Sequence, residues 1–540
     1  MRSRLVPILV VLGSIAIGFL VTARGMATWD SLPHLERSQW LLHKLALPSS
    51  RSSNGLTEML KWYGPLWALF LGVMSEVVLR FFRDPLWVQQ ALNFALYPVG
   101  LYALYHLLLR AGIAHSTARL AVALLLGAIR LGGHALFNVN DFPMAMLSLL
   151  VPLYLWNKLR ELDPAARADG RVARPTLILL GVVAMVPFLV RPPVLVEPAL
   201  FTALLVAYAV FALRGARLSR RIELVALPLL AGVAFAVAIW PSLWERGRAL
   251  PLRTAIFGFT RFAWSGPVRA LGRTWTSTAL PRWYPVIWFS IALTPVAAIA
   301  TAAGLVRTFR RPQLGVQPFR LETRWGSVDI SLRRWLAAHA VLFWLGVFLM
   351  RPTLYDEDRH LLFLFPPLLV LGALAFDDVS ARAKNVLAVV LAATSLISYA
   401  QWGRYSYVYK SPLTGDLSAA RFMGDYWGAC VPLAVSALQE HVPANAEVVV
   451  RAPYDAAMAQ YRRLRQGRFS ARPEFGPYRL VREPSGPDAY EILYNRNGFD
   501  APALRAVAEG RATLVWQTTM PPGDPACVIV HAAAPPQTFP

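Results

Sequence analysis

The chain has 540 residues, of which 56% are apolar and 16% are charged, and its formal net charge is +23. Soluble proteins average about 45–50% apolar and about 25% charged residues, so this composition excludes a disordered chain and argues against a multidomain soluble enzyme. It favours a polytopic membrane protein, in which Arg residues collect in cytoplasmic loops and face anionic headgroups. No basic stripe with interleaved aromatic residues lies outside the apolar runs, so we expect no nucleic-acid partner.

Eleven apolar runs approach the length of about 20 residues with which a helix crosses a bilayer. They are 5–22, 87–109, 118–136, 143–157, 175–190, 194–213, 224–244, 284–306, 335–350, 359–377 and 385–402. The first follows a basic start, as in a signal peptide, but Ala23-Arg24-Gly25 is a poor cleavage site. We therefore predict an uncleaved first helix whose N-terminus is cytoplasmic.

The positions of the Arg residues support this topology. The short loops that become cytoplasmic are rich in Arg, as the positive-inside rule requires. A further apolar stretch, 63–82, would invert this arrangement if it crossed the membrane, so we predict that it lies at the outer interface. The external loop 245–283 also carries several Arg residues, which long loops tolerate and which can grip a lipid phosphate.

Two regions outside the spans are long enough to fold. The first is the external loop 23–86, where apolar residues such as Leu35, Trp40 and Leu41 recur roughly at helical spacing, which predicts interfacial helices. The second is the tail 403–540, whose short apolar runs are punctuated by Pro, Gly and charge. We predict a transmembrane domain over 1–402 and a small external α/β domain over 403–540.

Both cysteines, Cys430 and Cys527, lie in the tail. A periplasmic tail would permit a disulfide between them, but two free buried thiols fit the sequence equally well. No CxxC or HxxxH spacing supports a zinc site.

Four groups of polar residues lie near the predicted external ends of the spans, where ionisable groups are costly and indicate function. They are Asp30 with His34; His134, Asn138, Asn140 and Asp141; Asp356 to His360; and Arg191. Each also has an ordinary explanation: a helix N-cap, turn chemistry, a solvated charge run or interfacial snorkelling. Together they combine carboxylates that can act as bases with Arg and His residues that can hold an anion. A substrate with an apolar tail and a phosphate head fits this set.

Short motifs carry a family resemblance over most of the chain. They are Trp29-Asp30-Ser31-Leu32-Pro33-His34, Lys61-Trp62-Tyr63-Gly64-Pro65-Leu66, His134 to Pro143, Leu280-Pro281-Arg282-Trp283-Tyr284-Pro285, Arg359-His360 and Asp425-Tyr426-Trp427-Gly428. This arrangement resembles GT-C fold membrane glycosyltransferases, in the lineage of protein O-mannosyltransferases and aminoarabinose transferases. The implied fold is a polytopic α-helical membrane protein with about 11 transmembrane helices.

The resemblance implies an inverting glycosyltransferase of EC 2.4 type, which moves a sugar from a polyprenyl-phosphate donor to an acceptor hydroxyl or amine. It implies Asp30 as the general base and Asp141 as a second catalytic carboxylate. Arg359, His360 and Arg191 would bind the donor phosphate. The remaining site residues, which would orient the substrates, are His34, His134, Asn138 and Tyr63. A divalent cation such as Mg or Mn, if one is used, would be bound by Asp30 and Asp141.

Two departures from the family pattern affect these expectations. Ser31 stands where the family usually has Glu, and Asn140 stands where bacterial members often have Lys. The first loses a carboxylate and the second a cation, which places both metal dependence and activity level in question. Two other functions stay open: a transporter or flippase of an anionic lipid, and a non-catalytic envelope-assembly scaffold.

The expected partners are a polyprenyl-phosphate sugar of undecaprenyl or decaprenyl type, an acceptor glycan, lipid or protein, and membrane lipids. The Arg-rich, Lys-poor composition suggests a GC-rich genome. We therefore expect a bacterial inner membrane protein with a periplasmic C-terminal domain.

Overall fold

A computed structural model describes much of the chain. The described residues are 13, 31–47, 63–81, 85–169, 172–192, 196–212, 217–243, 265–310, 319–323, 326–415, 421–451, 457–458, 460–461, 477–484, 488–496, 501–521 and 523–532. The first predicted span, 5–22, lies outside the described residues apart from Gly13, and so does the predicted general base Asp30.

The described part is mostly helical. Its helices are α1 Ser31–Lys44, α2 Pro65–Val78, α3 Pro85–Arg110, α4 His115–Leu126, α5 Ile129–Phe137, α6 Asp141–Asp169, α7 Arg174–Val190, α8 Val196–Ala207, α9 Leu218–Ile239, α10 Tyr284–Ile291, α11 Pro295–Arg310, α12 Leu332–Met350, α13 Phe365–Leu374, α14 Ala381–Trp402, α15 Val431–His441 and α16 Ala501–Ala508. A π-helical turn, Tyr208–Ala212, continues α8, and 3-10 turns occupy Pro241–Leu243, Arg359–Leu364, Gly403–Val408 and Pro412–Thr414.

Five of the described helical segments are long and apolar enough to cross a membrane, and the bent pair α4 and α5 makes a sixth. The five are Pro85–Arg110, Asp141–Glu161, Leu218–Ile239, Leu332–Met350 and Ala381–Val408. Shorter apolar helices fill other predicted spans, including 175–190 and 359–377. The protein is therefore a polytopic helical protein, while the count of eleven spans stays a prediction.

The strands form two hairpins and one larger sheet. The strands are β1 Pro267–Ala270, β2 Arg273–Thr276, β3 Phe319–Thr323, β4 Gly326–Ile330, β5 Glu447–Val450, β6 Arg479–Val481, β7 Tyr490–Tyr494, β8 Ala512–Met520 and β9 Asp524–Ala532. The larger sheet has the order β6-β5-β7-β9-β8, in which β5 runs parallel to β6 and β7, and β9 runs antiparallel to β7 and β8. These short strands agree with the short apolar runs from which an α/β fold is predicted for the tail.

The tail is joined closely to the helices. One continuous apolar core contains Leu124 and Phe142 from the helices together with Trp427 and Ile529 from the tail. Cys430 and Cys527 form a disulfide between the start of α15 and strand β9, with a Cα–Cα distance of 5.6 Å. The domain boundary at 403 and the periplasmic location of the tail stay predictions.

Two glycines allow the backbone approaches that shape the site. A Cβ at Gly64 would lie 2.2 Å from the carbonyl oxygen of Leu189, so the entry to α2 can pack on the end of α7 only without a side chain. A Cβ at Gly133 would lie 2.2 Å from the amide nitrogen of Tyr407. These contacts bring Tyr63 towards Arg191, and they bring α5 against the 3-10 turn Gly403–Val408.

Helix α1 differs from the surface helix that the spacing predicts. Trp40 and Leu41 are buried, as expected, and they pack with Ala68 of α2. However, Arg37 and Gln39 of the predicted polar face are also buried. Arg37 is covered because it hydrogen-bonds backbone carbonyls at the entry to α2. Protein therefore covers part of the predicted polar face, while Glu36 of that face stays exposed.

Candidate active site

Asp141 is held at the first residue of α6 by the turn before it. The side-chain oxygen Oδ1 of Asn138 accepts hydrogen bonds from the backbone amides of Asn140 and Asp141, at 3.2 and 2.8 Å. This is the local turn chemistry expected of Asn. Nδ2 of the same Asn138 donates to Oδ2 of Asp141 at 3.1 Å, so one side chain fixes both the backbone and the carboxylate.

The carboxylate of Asp141 lies between two guanidinium groups. Oδ1 pairs with Nε of Arg191 at 3.0 Å, and Oδ2 accepts from Nε of Arg359 at 3.1 Å. The three residues are 0%, 3% and 7% exposed, respectively. Charges at such burial are stable only when paired, and each arginine has an aromatic ring beside it. The ring of Tyr63 lies 4.6 Å from Cζ of Arg191, and the ring of Trp427 lies 4.3 Å from Cζ of Arg359.

The series of ion pairs that begins at Asp141 extends into the tail. Nη1 of Arg359 donates to Oδ2 of Asp356 at 3.1 Å, and Nη2 of Arg496 donates to Oδ1 of the same carboxylate at 2.5 Å. We call Asp141, Arg191, Arg359, Asp356 and Arg496 the Asp141 cluster. Among the residues that the structure describes, it contains three guanidinium groups and two carboxylates, so these described members carry one more positive than negative charge.

His134 forms the side of the site nearest the tail. Its Nε2 lies 3.0 Å from the hydroxyl of Tyr426, and its Nδ1 lies 3.3 Å from Nδ2 of Asn138. Tyr426 belongs to the Asp425-Tyr426-Trp427-Gly428 motif, whose Asp425 accepts hydrogen bonds from the amides of Ala429 and Cys430 at 2.9 and 2.8 Å. The motif therefore supplies both a partner for His134 and, through Trp427, the ring beside Arg359.

His34 and Tyr63 lie on the opposite side. Nε2 of His34 lies 3.0 Å from Nδ2 of Asn140, and its ring meets that of Tyr63 edge to face. Arg37, one turn further along α1, donates to the backbone carbonyls of Tyr63 and Gly64 at 2.7 and 2.5 Å. Helix α1 is thus fixed to the turn before α6, with its start beside the Asp141 cluster.

His360 is buried next to Arg359, and its ring packs edge to face on Tyr355 with centroids 4.4 Å apart. The described members of the predicted site therefore come together: Asp141, Arg191, Arg359, His360, His34, His134, Asn138 and Tyr63. They come from five separate segments of the chain. The roles predicted for them are not tested by this arrangement.

A second buried charge cluster lies beside the first. Arg130 of α5 pairs with Glu357 at 2.5 Å and with Asp358, and its Nε donates to the carbonyl of Tyr409 at 2.6 Å. Burial raises the pKa of the Glu357 and Asp358 carboxyls, while the charge of Arg130 opposes that rise. Lys410 also interacts favourably with Glu357. We call these four residues the Arg130 cluster, whose formal charges balance.

Some of these residues carry sequence signals that the motif analysis did not use. Arg130 lies inside a predicted span, and an ionisable residue at that position is itself an indication of function or of a buried partner. Arg37 lies on a helix that the spacing predicts to be solvated on one side. Arg496 has no local motif, because its contact with Asp356 joins residues 140 positions apart.

The contacts of Asp141 do not suit a divalent cation. Both carboxylate oxygens face guanidinium nitrogens at about 3 Å, where a metal would meet like charge. Among the residues that the structure describes, no group of three His, Cys, Asp or Glu side chains could hold a metal ion. The predicted alternative ligand, Asp30, lies outside the described part.

No family model matches the chain, and no curated protein matches it. Among solved structures, the chain is similar to ArnT from Cupriavidus metallidurans bound to undecaprenyl phosphate. The similarity covers 98% of this chain and 99% of that chain, at 13% identity and a TM-score of 0.47. A similarity at this identity and TM-score assigns no residue role and no activity to this chain.

Proposed function

We propose that this protein is a membrane glycosyltransferase that uses a polyprenyl-phosphate sugar as donor. The reaction is transfer of the sugar to an acceptor hydroxyl or amine, with inversion at the anomeric carbon. The acceptor oxygen or nitrogen bonds to the anomeric carbon, the bond to the phosphate oxygen breaks, and polyprenyl phosphate leaves with the electron pair. We place the reaction at the outer face of a bacterial inner membrane, as the charge-based topology predicts.

The observation that carries this proposal is the convergence of Arg191, Arg359 and Arg496 in the Asp141 cluster, whose described members carry one more positive than negative charge. A leaving phosphate gains negative charge in the transition state, and fixed cations in a water-poor site stabilise that charge strongly. Arg359 and Arg191 present planar donors suited to phosphate oxygens. The motif resemblance implies the same role for Arg359 and His360, and the sequence analysis adds Arg191 as a further candidate.

Asp141 has a positioning role in this proposal. Both of its oxygens are engaged by arginines, and Asn138 donates a further hydrogen bond to one of them. A carboxylate held in this way is a weak base, because removing a proton from the acceptor would require it to lose a cation partner. Asp30 therefore remains the proposed base, and it takes the proton released by the acceptor.

The test uses the full chain in lipid nanodiscs with a panel of radiolabelled polyprenyl-phosphate sugars and membrane extract as the acceptor source. Release of polyprenyl phosphate and transfer of label are followed for wild type, Asp30→Asn and Arg359→Gln. Arg382→Gln is the matched control, because Arg382 is exposed near the start of α14, away from the site. We expect turnover by wild type and by the control.

We expect Arg359→Gln to lose about 10²- to 10³-fold in transfer, as does removal of one preorganised donor to a developing negative charge. Asp30→Asn should abolish transfer while donor binding persists. Binding of donor by wild type without release, across the panel, would instead favour a lipid transporter or a scaffold. Equal transfer by wild type and Asp30→Asn would support the glycosyltransferase function but would exclude Asp30 as the general base.

A further inference from the structure

A second, separate group of arginines borders a pocket on the outside of the bundle. The pocket lies between the segment that leads into α10 and the end of α12. Arg282 and Arg351 line it together with the apolar side chains of Val347, Phe348 and Leu354. Neither arginine belongs to the Asp141 cluster or to the Arg130 cluster.

Within the described part of the chain, the side chains of the two arginines have no partner. Both are exposed, and among the described residues neither makes an ion pair or a hydrogen bond from its side chain. This distinguishes them from Arg191, Arg359 and Arg130, whose guanidinium groups are all engaged. Two unpaired guanidinium groups at one pocket create a positive potential that suits a phosphate group.

The surroundings of the pocket are those of a membrane boundary. Below Arg351, α12 presents Leu349 and Met350 at 78% and 49% exposure, and Val286 of α10 is 51% exposed. Beside Arg282, Trp283 is 40% exposed and packs edge to face on Trp275. Exposed Trp beside Arg, above a band of exposed aliphatic side chains, is the pattern of a helix end at the level of lipid headgroups.

We propose that this pocket binds the headgroup of an anionic membrane phospholipid, of the phosphatidylglycerol class. Its phosphate lies between Arg282 and Arg351, and its acyl chains cover the exposed aliphatic residues of α10 and α12. The lipid phosphate satisfies both guanidinium groups, and the chains remove apolar surface from water. The proposal does not depend on the glycosyltransferase function, because it concerns a bound lipid and not a reacting one.

The experiment measures lipid retention on the full chain by native mass spectrometry after purification in detergent. Phosphatidylglycerol is titrated into wild type, into the double variant Arg282→Gln/Arg351→Gln, and into Arg273→Gln. Arg273 is the matched control, since it is exposed on the neighbouring strand β2 but does not line the pocket. Thermal unfolding of each variant verifies that it is folded. A zwitterionic lipid, phosphatidylcholine, is titrated in parallel.

We expect a bound phosphatidylglycerol whose affinity falls roughly tenfold or more in the double variant and is unchanged in Arg273→Gln. A photoreactive phosphatidylglycerol should label wild type between Val347 and Leu354. Equal retention by wild type and double variant would overturn the proposal. An equal loss in Arg273→Gln would do so too, because it would indicate diffuse surface charge. Stoichiometric displacement of the label by polyprenyl phosphate would also overturn it and would make the pocket part of the substrate route.

Discussion

The Asp141 cluster and the Arg130 cluster meet at the peptide bond between Asp358 and Arg359, yet they differ in charge balance. The Arg130 cluster has as many cations as carboxylates, and Arg130 lies over the face of Trp288 at 4.7 Å. Counted over the described part of the chain, the Asp141 cluster has one cation more than it has carboxylates. A buried cluster whose charges balance needs no ligand for charge compensation. A cluster with excess positive charge, in contrast, can bind an anion.

This difference indicates which buried charges stabilise the fold and which can bind a ligand. Burial alone does not distinguish the clusters, because Arg130, Asp141 and Arg191 are all nearly inaccessible. The count of opposing charges among the described residues does distinguish them. Both clusters join distant parts of the chain, because Arg130 pairs with Glu357 and Asp358, and Asp141 pairs with Arg191 and Arg359. The predictions below use this contrast.

The largest effect should come from the balanced cluster. Arg130→Gln would leave Glu357 and Asp358 buried without their main cation, which typically costs about 3–5 kcal/mol of stability. Arg359→Gln should cost less, because Asp141 keeps its pair with Arg191. Unfolding in detergent, followed by tryptophan fluorescence, compares the two variants. If Arg359→Gln proved the more destabilising, the assignment of the Arg130 cluster as structural would be wrong.

A smaller effect should follow from the tail. Arg496→Gln removes the excess positive charge of the Asp141 cluster and leaves Asp356 free to draw Arg359 away from a phosphate. We expect polyprenyl-phosphate affinity to fall about 5- to 10-fold, roughly 1 kcal/mol. Arg496→Lys keeps the charge and should restore much of the affinity. Loss of stability with no change in affinity would instead assign Arg496 to tail packing alone.

The smallest effect concerns the ring beside Arg191. Tyr63→Leu removes the cation–π contact with Arg191. Because Tyr63 is only half-buried and the ion pair of Arg191 with Asp141 stays in place, we expect a loss of about 0.5–1 kcal/mol, so the same affinity should weaken by about 2- to 5-fold. Tyr63→Phe keeps the ring and should bind as wild type does. Transfer assays on the two variants sharpen this test. A large loss of transfer in Tyr63→Phe would show that the hydroxyl acts on a substrate, as the motif resemblance implies.

Much of this site can be predicted from the sequence because its residues lie next to apolar runs. Asp141, Arg191 and Arg359 each lie where a predicted span begins or ends, and a shared topology places such ends on one side of the membrane. The turn around Asn138 is likewise predictable, since Asn favours this local geometry. What the sequence does not provide is the pairing itself: that Asp141 holds both arginines follows only from the packing of α6, α7 and the 3-10 turn at Arg359.

Other parts of the fold could not be anticipated for the same reason. Arg37 on α1 is buried because it binds the backbone at the entry to α2, whereas helical spacing alone predicts solvent at this position. Arg496 reaches the cluster only because the sheet of the tail packs against the helices. The tail could be predicted as α/β from its alternating runs, but its order β6-β5-β7-β9-β8 depends on long-range pairing that no local pattern encodes.

The central claim is that the excess positive charge of the Asp141 cluster binds a lipid phosphate, with Asp141 positioning the arginines. The most direct measurement is the affinity of polyprenyl phosphate for wild type, Arg359→Gln and Asp141→Asn in nanodiscs. The account predicts at least about tenfold weaker binding for Arg359→Gln, because a charge-assisted contact is lost. It predicts a smaller loss for Asp141→Asn, whose cluster gains positive charge but loses the carboxylate that positions Arg191 and Arg359. Unchanged affinity in Arg359→Gln, or equal losses in both variants, would contradict it.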